Sequence, residues 1–151
     1  MIRFSFCCLF ALLPLLLGNC TSANFNHEWD KAMASRSGPP KDITGPWLGS
    51  WHSDANGHHG ELRCVVLPED GKSDNYRFYY HAIYGNFLTV AYTVTEQVHR
   101  NKQGNYDLRG EHNLGYFAGG LYHYEGVSTP TKMRSTYRSS ADHGTFELAR
   151  P

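Results

Sequence analysis

The sequence has no surplus of either charge. Its 151 residues carry 14 Lys and Arg against 14 Asp and Glu. That balance leaves no electrostatic footprint for nucleic acid, and no such partner is expected. Cysteine is also scarce. Of the four cysteines, Cys7 and Cys8 sit in an apolar leader, and only Cys20 and Cys64 follow it. No intramolecular disulfide is expected. The longest apolar run, Phe4 to Leu17, is short and one-sided for a membrane span. No serine nucleophile elbow, glycine-rich phosphate loop or Cys–His constellation is visible, and no cofactor or catalytic residue is assigned.

What is present begins with an export pattern. Arg3 supplies a positive start and the run to Leu17 supplies an apolar centre, so residues 1–19 read as a signal peptide. Leu17-Gly18-Asn19-Cys20 then resembles the lipobox of bacterial lipoproteins. The resemblance implies a cut before Cys20, a diacylglycerol on its thiol and an acylated amino terminus. It places the protein on a membrane of the bacterial cell envelope, facing the periplasm or the exterior. Asn19 stands where that family usually has Gly, Ala or Ser. Thr21-Ser22-Ala23 offers a rival site for ordinary secretion. Residues 20–151 are enough for one modest core.

Residues 20–44 read as a tether and a short helix. Phe25, Trp29, Ala32 and Met33 share one helical stripe, Asn24 or Asn26 can cap it, and Gly38-Pro39-Pro40 stops it. An aromatic pair at this spacing predicts packing on the domain. Because the helix precedes the first strand, it is expected to plug the barrel floor.

From residue 45 to 151 the period becomes two, with turn residues about every ten positions. The pattern predicts strands at 46–54, 60–67, 75–84, 87–98, 105–114, 119–127, 131–139 and 144–149. The links are too short for crossovers, so neighbours are antiparallel. The expected fold is all-β: an eight-stranded up-and-down barrel, which leaves no exposed edges. Arg63, Arg77, Arg109, Glu111, Lys132 and Arg134 on the alternate faces exclude the lipid-facing band of an outer-membrane barrel. Gly45-Pro46-Trp47, followed by Gly49 and Trp51, resembles the Gly-x-Trp opening of lipocalins, and avidins and related calycin barrels start similarly. The resemblance implies a barrel with a small-ligand role. No long helix follows the barrel, no Thr-Asp-Tyr motif is present, and avidin's biotin-site residues find no counterparts here.

Parity places Trp47, Trp51, Leu62, Cys64, Phe78 and Leu108 inside, with Cys64 as a small buried hydrophobe. On the fourth strand it turns Leu88, Val90, Tyr92, Val94 and Val98 inward. Tyr76, Tyr80, Tyr92, Tyr122, Tyr124 and Tyr137 line the same interior, where buried hydroxyls need partners. They can serve a ligand or satisfy one another. The odd-numbered loops share one rim. They bring together His52, Asp54, Asn56, His58 and His59, then Tyr84 and Asn86, then His112, Asn113 and Tyr116, then Asp142 and His143. The rim reads as a ligand mouth, with Trp51, His52, His112 and His143 beside the tyrosines as binding residues. A metal site at His52, His58, His59 and His143 is a weaker alternative, because the spacing fits no tight ligand pattern. A catalytic rim is weaker again. In Asp142-His143 and Glu111-His112 the adjacent side chains point to opposite faces. A structural envelope lipoprotein with a filled core remains the third alternative.

Overall fold

The computed structural model describes residues 13–72, 74–85, 88–116 and 119–151. The greater part of the expected signal peptide, and Asn86 of the expected rim, lie outside them. The elements run α1 (Leu13–Ala34), β1 (Gly45–Ser53), β2 (His59–Pro68), β3 (Asn75–Tyr84), β4 (Leu88–Arg100), β5 (Tyr106–Asn113), β6 (Leu121–Ser128), β7 (Lys132–Arg138) and β8 (His143–Ala149). The strands form one closed barrel in sequence order, with every neighbouring pair antiparallel. Closure is made by β1 on β8, with Trp51 opposite Phe146 and Gly49 opposite Leu148. Odd strands climb from a floor to a rim, and even strands descend.

The lower half of the barrel is packed solid. Trp47, Cys64, Val66, Phe78 and Val94 are fully buried there. Burial also pushes the Cys64 thiol well above its ordinary pKa, so it is an inert hydrophobe. Ile43 closes the floor from below and accepts a hydrogen bond from Trp47 Nε1 at 2.9 Å. Arg150 lies 3.9 Å over the Trp47 ring. Its guanidinium donates to the carbonyls of Pro130 (2.8 Å), Pro46 (3.1 Å) and Asp42 (2.6 Å).

The helix does not plug the floor. It lies along the outside of the wall, where Phe25 and Ala32 bury against Val65 and Tyr79, with Trp29, Leu67 and Ala91 around them. The Phe25 ring stacks on His81 at 4.8 Å, and Arg63 sits 5.6 Å from the Trp29 ring. Val65, Tyr79 and His81 point away from the barrel interior, yet all are buried. A strand apolar on both faces needs a second cover, and the Phe25–Ala32 stripe provides it. Elsewhere the outer wall carries exposed ion pairs, Arg109–Glu125 (3.2 Å) and Arg134–Glu147 (3.3 Å) among them. Among the described residues no helix is long and apolar enough to cross a membrane.

One seam of the barrel is incomplete. β4 pairs with β3 from Tyr84↔Leu88 down to Asn75↔Gln97. Its pairing with β5 covers only Glu96↔Gly110 to Arg100↔Tyr106. Among the described residues, the upper half of β4 therefore has a neighbour on one side only.

Candidate binding cavity

Above the packed half, the barrel holds a cavity of about 220 Å³. Its lower wall is aromatic: Trp51, Tyr92, Tyr124 and Phe146 line it. Toward the rim it is bounded by Tyr84, Val90, Leu114, Tyr122, Tyr137 and Asp142, with Ala82 between. The rings fall into two groups. Trp51 and Tyr84 have centroids 4.2 Å apart, Tyr122 and Tyr137 6.1 Å, and Tyr137 and Phe146 4.9 Å. Trp51 is fixed by its Nε1, which donates to the carbonyl of Ile83 at 3.1 Å.

Among the described residues, Asp142 is the only aspartate or glutamate lining this space. It sits on the β7–β8 hairpin, where Ser139 Oγ accepts its backbone N–H at 3.0 Å. Its carboxylate is held by three donors. Oδ1 accepts from Ser53 Oγ (2.6 Å) and the His143 N–H (2.8 Å), and Oδ2 from the Tyr137 hydroxyl (3.2 Å). Burial first, and the nearby Asp142 charge second, raise the pKa of both Tyr84 and Tyr137. Both phenols remain protonated donors at neutral pH.

Beneath the cavity lies a second carboxyl group. Glu96 points into the barrel and is fully buried. Its Oε1 accepts from the Tyr80 hydroxyl at 2.9 Å. Its Oε2 has no protein partner among the described residues. Burial pushes its pKa up to about 7, opposed by the Tyr80 hydrogen bond. Gly110 stands opposite it on β5, where a Cβ would lie 2.6 Å from Glu96 Cγ. The bare glycine thus makes room for the buried side chain. Burial likewise raises Tyr80, Tyr92 and Tyr124 above the ordinary phenol range.

The expected site residues divide cleanly. Trp51, Tyr92, Tyr122, Tyr124 and Tyr137 line the cavity. Tyr80 lies beneath it, fully buried against Glu96. Tyr76 is not part of it. It is the second residue of β3, at the floor end, where burial and then Asp42 raise its phenol. His112 is half-buried opposite Tyr122 but does not line the cavity. His52, His58, His59 and His143 are exposed. His52 pairs with Asp54 at 3.1 Å, and its ring lies 6.5 Å from that of His59. Among the described residues, no three His, Cys, Asp or Glu side chains are grouped as metal ligands. The side chain of Cys20 lies outside the description.

Glu96 is the residue that a sequence reading passes over. It shares the inward parity of Val94 and Val98 and stands between them. Comparison with protein-family models, curated proteins and solved structures finds no match to this chain.

Proposed function

We propose that this chain is an exported, lipid-anchored barrel of lipocalin-like type that binds a small, partly apolar molecule in its aromatic cavity. The observation that carries the reading is the contrast between the two halves of the interior. The lower half is filled by large side chains, whereas the upper half holds about 220 Å³ bounded by rings and a fixed carboxylate. A concave, mostly apolar space with a few convergent polar groups is the usual form of a small-molecule site. The volume falls below the ~300–1,000 Å³ of drug-sized pockets, which favours a ligand built on a single ring. The incomplete β4–β5 seam supplies an entry beside Val90. The test is calorimetric titration of the protein against a Val90→Trp variant, in which an indole fills the mouth.

The anchor belongs to the same reading. α1 has Ala32 near the floor, beside Gly45 and Arg150, and Phe25 at mid-wall on His81. Five further residues of helix rise about 7.5 Å, which carries Cys20 toward the mouth rim. A lipid on Cys20 would hold the mouth close to the membrane surface, with Leu88, Val90 and Leu121 exposed on that rim. An intact mass of the membrane-extracted chain is expected to equal residues 20–151 plus acyl groups. An unmodified chain cut after Ala23 would contradict the anchor.

A further inference from the structure

We propose that the molecule taken into this cavity is a small organic cation, an ammonium group carried on an apolar ring. The inference rests on the cavity being a binding site, and it adds the chemical class of the ligand.

The charge of the lining points this way. Among the described residues no Lys, Arg or His lines the cavity, and its one carboxylate is Asp142. Among the described residues, no basic side chain forms an ion pair with Asp142. An anionic ligand would meet a like charge and no countercharge. A neutral apolar ligand would strip water from Asp142 and give nothing back, which is costly for a carboxylate. An ammonium compensates that loss.

The geometry of Asp142 leaves it ready to accept. Each carboxylate oxygen has room for about two donors. Oδ1 is filled by Ser53 and the His143 N–H, whereas among the described residues Oδ2 takes only Tyr137. One acceptor position therefore remains on Oδ2. The three donors fix the carboxylate before any ligand arrives, so little ordering cost is left for binding.

The rings supply the second half of the recognition. A cation within about 6 Å of an aromatic face is attracted by the ring quadrupole, more strongly when water is excluded. Tyr137 touches both partners, because it donates to Asp142 and lies 6.1 Å from the Tyr122 ring. Trp51 and Tyr84 form the adjoining aromatic pair. An ammonium beside Asp142 Oδ2 would thus be flanked by aromatic groups, while its ring packs down toward Phe146 and Tyr124.

The experiment is isothermal calorimetry with three compounds on one ring: benzylamine, benzyl alcohol and benzoate. Benzylamine is expected to bind about tenfold tighter than benzyl alcohol, and benzoate not to bind. Asp142→Asn preserves the side-chain shape and one acceptor oxygen. It should bring the amine level with the alcohol and leave the alcohol within about twofold of its wild-type affinity. Equal binding of amine and alcohol by the wild-type protein overturns the cation inference and leaves the cavity reading intact. Failure of all three to bind overturns both. If Asp142→Asn does not fold, the wild-type amine-to-alcohol ratio still decides, together with a fall in that ratio at high salt.

Discussion

A Glu96→Gln variant is expected to be more stable than the wild-type protein by roughly 3 kcal/mol at pH 8, and equal to it near pH 4.5. In the folded chain the Glu96 carboxyl holds its proton up to about pH 7, against an ordinary value of 4.5. Between those values the folded state binds a proton that the unfolded state has released. Stability therefore falls as pH rises through this window and stays low above it. Each unit of pKa difference corresponds to about 1.4 kcal/mol. Glutamine copies the protonated form: it can accept from Tyr80 and has no proton to lose. Thermal melts at pH 4.5, 6 and 8 check the prediction. The two curves should meet at low pH and separate by about 10 °C at pH 8. Curves that run parallel would mean that Glu96 is not buried as described.

Glu96, buried beneath the cavity, has partners that are not legible in the sequence alone. Parity alone puts Glu96 inside, since Val94 and Val98 flank it at steps of two. A glutamate in an apolar row looks like an exception until its partners are known. Tyr80 and Gly110 supply them, and both contacts depend on register across separate strands. The eight strands were legible because period two and turn residues are local properties of the chain. The position of the helix was less so. Its stripe was clear, but its seat required noticing that Val65, Tyr79 and His81 make β2 and β3 apolar on both faces. Tyr76 could have been placed correctly from chain direction: it opens a strand that starts at the floor, whereas Tyr122 and Tyr124 open one that starts at the rim. Parity turns His52 outward beside the inward Trp51, so its exposure was also readable.

Arg150→Ala is expected to destabilise the fold by roughly 3–4 kcal/mol. Three carbonyls, those of Asp42, Pro46 and Pro130, lose their guanidinium donor together. Trp47 loses the cation over its face. These contacts join the approach to β1, the β6–β7 turn and the end of β8, so the floor of the barrel is tied at one residue. Burial lowers the Arg150 pKa to about 10, and the side chain stays charged at neutral pH. Arg150→Lys keeps the charge but cannot reach three acceptors in a fixed fork, and should recover less than half of the loss. Urea unfolding checks both variants, read as midpoint shifts at constant slope. A loss below about 1 kcal/mol for Arg150→Ala would show that the floor is held by Ile43 and Trp47 packing alone.

The lower half of the barrel is filled by large side chains, and the upper half holds the cavity. Trp51, Tyr84, Tyr92, Tyr122, Tyr124 and Tyr137 form the aromatic wall of the cavity. Ala82 is the small residue that leaves space among them. The β4–β5 seam parts on the same side.

The most direct test of this account is the calorimetric titration of wild-type protein and Val90→Trp with single-ring ligands. Val90 lies at the mouth and is 39% exposed, so an indole there can be accommodated without overpacking the core. Saturable one-to-one binding to the wild-type protein is expected, weakened at least about tenfold in Val90→Trp, with melting temperatures of the two free proteins nearly equal. Binding of equal strength to both proteins, or to neither, would contradict a ligand site in the mouth of this barrel.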